Sequence, residues 1–305
     1  MSKKLLYILG ILGTIAIGTW LYSFMCCPTC CQDNTVDTVA PAVLTTNTTT
    51  GDYNKFNLSG KDLAYTCSDN FRFLSNDFKN IQPVNDSINT GIGLLKTYFD
   101  KNKDKLVITG YALNSEKNTS SFPNLALARA NDLKNYFVSK GIESNRFELK
   151  GELRDAWKMS GDTILGNADF RIMQAEEVAT IKVEDWAALK SKINANPLIL
   201  YFNTGQSEIS LTPEERQKVA DLTRYLDNVA GAKLNAVGHT DSAGNRDANV
   251  KLGLNRANFA KDYLAKNGIA AAKIDASSKG PDEPIADNKT ADGKAKNRRT
   301  VVTLN

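Results

Sequence analysis

Apolar positions along the chain fall into three regimes. Leu5 to Met25 is uncharged and almost continuously apolar. Gln32 to about Lys55 shows neither a helical nor a strand period long enough to bury a face. From about Phe71 onward, short apolar runs alternate with stretches in which apolar residues recur at three- and four-residue spacing. That alternation predicts strands and helices in succession. In the last third, Leu198-Ile199-Leu200-Tyr201-Phe202 reads as a short strand. Thr212-Pro213-Glu214-Glu215 predicts a helix start, with Thr212 as cap, Pro213 in the first turn and Glu215 completing a capping box. Val219, Leu222 and Leu226 then fall on one helical face. Leu234 to Gly238 reads as a strand, and a long helix follows that ends at Asn267-Gly268, where glycine supplies the left-handed conformation. Ile274 to Ser278 and Thr300 to Leu304 complete the pattern. The order β-α-β-α-β-β predicts an α/β (α+β) fold with helices on one face of a mixed sheet.

The same order runs from about Phe71 to Met173, and the residues repeat. Leu125-Ala126-Leu127-Ala128-Arg129-Ala130-Asn131 aligns with Leu252-Gly253-Leu254-Asn255-Arg256-Ala257-Asn258 at an offset of 127. Tyr136, Gly141 and Ile142 match Tyr263, Gly268 and Ile269 at the same offset, while Gly110 matches Gly238 at 128 and Lys150-Gly151 matches Lys279-Gly280 at 129. A drift of one residue at a time is what insertions in loops between fixed elements produce. Two tandem copies of one fold are expected, with boundaries at 57–175 and 198–305. A connector over 176–197 would carry a helix around Val183 to Ile193.

Lys3 and Lys4 precede the apolar run of 21 residues. At about 1.5 Å per residue this run spans about 32 Å, close to the ~30 Å core of a bilayer. Trp20 and Tyr22 suit the far interface. An uncleaved inner-membrane helix is expected, with the later residues in the periplasm of a Gram-negative envelope. A cleaved signal and an outer-membrane lipoprotein attached through Cys26 are the competitors. Four of the five cysteines stand in Cys26-Cys27-Pro28-Thr29-Cys30-Cys31. An oxidising compartment favours disulfides there, including a disulfide-linked dimer. Residues 1–31 are thus expected to form an anchor with its cysteine cluster, and 32–56 a Thr-rich tether.

Bulk composition changes this picture little. The chain has 305 residues, 42% hydrophobic, with a formal net charge of +4. That charge is too mild to argue for nucleic acid. The single histidine, His239, excludes a histidine-rich metal site, and no cofactor motif is present. Lys294, Lys296, Arg298 and Arg299 form the one basic cluster near the C-terminus.

The candidate chemistry lies in the second copy. Gly238-His239-Thr240-Asp241 ends a strand, and Arg256 lies 15 residues beyond Asp241 in the following helix. A helix returning over a sheet brings its first turns beside the strand's end, so Asp241 and Arg256 can line one pocket or pair with each other. Thr240-Asp241, Gly244, Asn249, Leu252, Gly253, Arg256 and Ala257 together resemble the signature of the OmpA-like C-terminal domain family. Phe202-Asn203-Thr204-Gly205 looks like that family's first strand and loop, and Asn297-Arg298-Arg299 like its closing segment. The resemblance covers about 105 residues. It implies a non-enzymatic tether that binds peptidoglycan at the diaminopimelate of the wall peptide. Asp241 would accept from the ligand's ammonium, and Arg256 would clamp its carboxylate with two parallel bonds. Thr240, Asn249 and Asn203, Thr204 and Gly205 would complete the polar lining, with Arg298 or Arg299 approaching the peptide. The first copy keeps Arg129 but has Leu113 where the second has Asp241. It is expected to hold the fold without the site, with its arginine lacking an acidic partner. Alternatives are a subunit of a larger envelope machine that uses the first copy as an interaction module, and a wall-active hydrolase built on His239 and Asp241. The hydrolase lacks a nucleophile motif.

Overall fold

The computed structural model describes residues 54–180, 184–202 and 211–305. The expected anchor, cysteine cluster and most of the tether lie outside these residues, as do Asn203, Thr204 and Gly205. Among the described residues, no helix is long and apolar enough to cross a membrane.

The C-terminal half starts with α4 (Trp186–Ala195), followed by β9 (Leu198–Tyr201), α5 (Pro213–Asn228), β10 (Leu234–His239), α6 (Arg246–Lys266), β11 (Ile274–Gly280), α7 (Ala291–Asn297) and β12 (Arg299–Leu304). The sheet order is β11-β10-β12-β9. β10 pairs parallel with β11 and antiparallel with β12, and β9 closes the other edge antiparallel to β12. Leu198, Leu200, Leu234, Ala236, Val302 and Leu304 alternate inward and meet Val219, Leu222 and Leu226 of α5 and Ala260 and Leu264 of α6 in one core. α5 begins as its sequence dictates. Thr212 accepts from the Glu215 backbone N–H at 3.2 Å and the Glu215 carboxylate accepts from the Thr212 N–H at 2.8 Å, with Pro213 first in the helix. Gly268 follows α6 at φ +98°.

One stretch of the expected connector, Trp186–Ala195, packs into this half. Leu189 and Ile193 of α4 sit in its core. Asn194 exchanges two bonds with the Leu304 backbone, at 2.8 and 2.9 Å. A helix that donates two apolar residues and a sheet-edge clamp cannot be a free linker.

The N-terminal half comprises β1 (Phe56–Gly60), β2 (Leu63–Cys67), β3 (Arg72–Leu74), α1 (Asp86–Phe99), β4 (Lys105–Leu113), α2 (Leu125–Ser139), β5 (Phe147–Arg154), β6 (Met159–Ser160), β7 (Thr163–Leu165), β8 (Ala168–Met173) and α3 (Ala175–Thr180). Its central sheet, β5-β4-β8, repeats the β11-β10-β12 arrangement: β4 and β5 are parallel, β4 and β8 antiparallel. The strand expected at Phe71 does not enter that sheet. β3 pairs with β7 in a separate three-stranded sheet with β6, and β1 and β2 form a hairpin of their own. Phe56 of β1 packs edge-on against Phe170 of β8 with ring centroids 4.9 Å apart, so the hairpin is held by core packing.

In both halves a strand glycine lets the helix approach. A Cβ on Gly238 would collide with the Gly253 carbonyl of α6, and one on Gly110 with the Ala126 carbonyl of α2. This close crossing brings the arginine one turn further along each helix to the end of its strand.

Candidate functional site

Arg256 and Arg129 take the same anchor. Nη1 of Arg256 donates to the His239 carbonyl at 3.0 Å, and Nη1 of Arg129 to the Tyr111 carbonyl at 3.0 Å. Beyond that bond the two differ. Arg129 also donates from Nε to the Asp77 carbonyl, from Nη2 to the Leu74 carbonyl, and from both Nη atoms to Glu116, at 3.0 and 2.6 Å. All five of its N–H groups are therefore used. The Arg129 and Glu116 side chains are 0% and 2% exposed. The expectation that Arg129 lacks an acidic partner is corrected: Glu116, three residues after Leu113, supplies one. Trp157 stacks on Tyr111 at 4.7 Å and closes the same end of the N-terminal sheet.

Arg256 is half-buried, and the bond to His239 is the one hydrogen bond its guanidinium makes among the described residues. Its ring neighbour is Phe202, 5.9 Å away. Asp241 does not pair with Arg256. Its Oδ2 accepts from Arg298 Nη1 at 3.0 Å and its Oδ1 from the Ala243 N–H at 3.1 Å. Arg256, Asp241 and Arg298 nevertheless form one charged group. Burial and the charge of Arg298 lower the Arg256 pKa, and Asp241 opposes both. At Asp241 burial acts to raise the pKa. Hydrogen bonds from Arg298 and Ala243 and the charges of Arg298 and Lys294 outweigh it and hold the carboxyl below its usual value. Near neutral pH the three ionised groups sum to one positive charge, beside donors that have no acceptor among the described residues.

The other expected site residues divide. Thr240 lies at the strand end with its Oγ1 buried and, among the described residues, unpartnered, and Nε of Arg298 is likewise buried without a partner among them. Asn249 is buried, and its side-chain amide donates to the Ala243 carbonyl at 2.8 Å, which shapes the loop after Asp241. Arg299 is turned away, a correction to its place in the lining. It opens β12, whereas Arg298 is the cap residue after α7, and it donates to the Glu283 carbonyl at 3.1 Å and is buried. Asn297, the last residue of α7, was outside the expected set. Its Oδ1 accepts from the Ile285 and Ala286 N–H groups and its amide donates to Ala286 O and Asn288 Oδ1. Asn288 in turn accepts from the Ser242 N–H at 3.2 Å. Asn297 thus positions the loop that carries Asp241's neighbours. Its only sequence signal is its place before the two arginines.

His239 is buried, and burial together with the charge of Arg299 lowers its pKa to about 4. It is neutral at pH 7. Because the folded value lies below the ordinary 6.5, the unfolded chain binds a proton that the folded chain excludes between those values. Stability should therefore fall as pH drops from about 6.5 towards 4, by up to about 1.4 kcal/mol per unit. Urea midpoints of the wild type and of His239→Phe across this range test it. A flatter profile in the variant is expected, and parallel profiles would assign the acid sensitivity elsewhere.

The mixed sheet, its covering helices and the charged strand-end cluster make up a small α/β domain. Residues 201–298 match the OmpA family model, and this segment is an OmpA family domain. The chain is 36% identical over 98 residues to the probable lipoprotein YiaD of Escherichia coli (strain K12), covering 32% of this chain and 45% of that protein. It is 36% identical over 121 residues to the peptidoglycan-binding protein ArfA of Mycobacterium bovis, covering 39% of this chain and 36% of that protein. The chain thus spans less than half the length of these curated relatives. Among solved structures, the peptidoglycan-associated lipoprotein from Burkholderia pseudomallei matches at 25% identity and a TM-score of 0.30, covering 35% of this chain and 89% of that one.

Proposed function

We propose that the C-terminal half binds peptidoglycan without cleaving it, and that the chain is a tether within the cell envelope. The observation that carries this reading is the unspent guanidinium of Arg256. It is anchored by one bond and half-buried, and among the described residues no carboxylate hydrogen-bonds to it. Such a group is set to clamp a ligand carboxylate through two parallel N–H···O bonds. Asp241 lies in the same charged cluster and takes the ligand's ammonium on its remaining lone pairs. A carbon bearing both groups, as at the side-chain end of diaminopimelate, fits this pair. Arg298, Thr240 and Asn249 complete the lining, together with Asn203, Thr204 and Gly205 by resemblance.

The repeated β-α-β-β arrangement supports two tandem OmpA-like copies, with the first closed by Glu116 and Trp157. The uncharged run from Leu5 to Met25 supports a membrane anchor, in the inner membrane as a helix or in the outer as a lipoprotein through Cys26. The clustered cysteines support a disulfide-linked dimer. The reading is tested by pulldown of the full chain on purified diaminopimelate-type peptidoglycan. Retention is expected, with release by millimolar free meso-diaminopimelate and by rising salt, since the contact is ionic. Retention unaffected by either would remove diaminopimelate from the reading.

A further inference from the structure

The two halves bury a charged contact between them. Nζ of Lys134, on α2, donates to Oδ2 of Asp227 at the end of α5 at 2.6 Å, and the side chains are 3% and 14% exposed. Burial lowers the Lys134 pKa, and Asp227 is the counter-charge that opposes it. Among the described residues it is the one acid bonded to this lysine. Polar contacts surround the pair. Ser144 Oγ donates to the Asp227 carbonyl at 2.9 Å, and the Asn135 amide donates to the Gly268 carbonyl at 2.8 Å. Asn267 Oδ1 accepts from the Ser121 N–H at 2.8 Å, in a buried position. Arg216 reaches the Ser120 carbonyl.

Shape complements charge here. A Cβ on Gly268 would strike the amide of Asn131 on α2 and crowd that of Asn135. The glycine that closes α6 is therefore also the point at which the other half enters. An ammonium this deeply covered needs a paired acid, because an unpaired buried charge is strongly destabilising. The α2 face that carries Lys134 is complete only when the C-terminal half sits on it.

The geometry points to a latch: Asp227 and the Asn267-Gly268 tip clasp α2 around Lys134, so that the two halves act as one rigid body. This inference goes beyond the binding reading and does not depend on what the C-terminal half holds. A pull on one half is then passed to the other through the clasp as well as through the chain.

The test uses the full chain with a single tryptophan reporter in each of two backgrounds. Trp157 reports on the N-terminal half and Trp186, edge-on to Tyr225, on the C-terminal half. Other tryptophans are replaced by phenylalanine. In the latched protein both reporters give one coincident urea transition. Asp227→Ala strands the lysine charge and should separate the two midpoints by on the order of 1 M. The double variant Lys134→Met/Asp227→Asn removes both charges, keeps each side chain near its original size and should restore coincidence. Asn135→Ala removes one bond and should shift the midpoints in the same sense by less. It carries the test if Asp227→Ala does not fold. Two separate transitions in the otherwise unaltered protein would overturn the latch, as would coincident, unshifted midpoints in both Asp227→Ala and Asn135→Ala.

Discussion

Arg256→Ala is expected to abolish retention on peptidoglycan, with an affinity loss of at least about 100-fold. The substitution removes two parallel charge-assisted hydrogen bonds, each worth ~1.5–3 kcal/mol. Arg256→Lys should recover little, because an ammonium cannot present the planar fork. The folding cost is small by comparison, since the side chain gives up one bond, to the His239 carbonyl. Asp241→Ala should also release the wall, for a second reason: it frees Arg298, and two guanidinium groups then face each other without a carboxylate between them. The measurement is a pulldown titration together with urea denaturation of each variant. Normal retention by a folded Arg256→Ala protein would displace the site from this strand end.

Arg129→Ala should do the opposite. It leaves wall retention per folded molecule intact and strongly destabilises the N-terminal half. Glu116 would remain buried at 2% exposure with no counter-charge. Breaking such a pair costs ~3–5 kcal/mol, and the Asp77, Tyr111 and Leu74 carbonyls each lose one donor besides. Against a typical domain stability of ~5–15 kcal/mol this approaches unfolding. Arg129→Met/Glu116→Leu, which removes both charges, should be far milder. Trp157 fluorescence in urea reads the difference. Equal stability of the single and double variants would mean that the buried charge pair is not what holds this end of the sheet.

Most of the C-terminal fold was legible in the sequence because local rules coincide there. Thr212, Pro213 and Glu215 announce a helix start in three independent ways, and all three hold in the structure. Gly268 marks a helix end through its backbone alone. The strand order of the first copy follows the second, but the register does not follow the repeat offsets: Gly110 stands opposite Gly151, whereas Gly238 stands opposite Ser278 and a bulge brings His239 opposite Gly280. Legibility failed where residues from loops complete a contact. Glu116 lies in a segment without periodicity, three residues past the position that matches Asp241, so position-by-position comparison records Leu113 and misses the acid. α7 contains Gly293 and no apolar stripe, and is held by the Thr290 cap and by Asn297. The contact between the halves is polar and leaves no hydrophobic pattern to read. Asp241's choice of Arg298 over Arg256 was equally hidden, since it depends on how the turn between α7 and β12 carries Arg298 to the end of β10.

Glu116 has a further meaning. It grips Arg129 with two oxygens on the two Nη atoms, while the same guanidinium holds the strand-end carbonyl. Arg256 holds the equivalent carbonyl with that grip left open. On the proposed binding mode, the N-terminal half carries its own stand-in for a guest, wired into the chain, and so portrays within one molecule the occupied state of its neighbour.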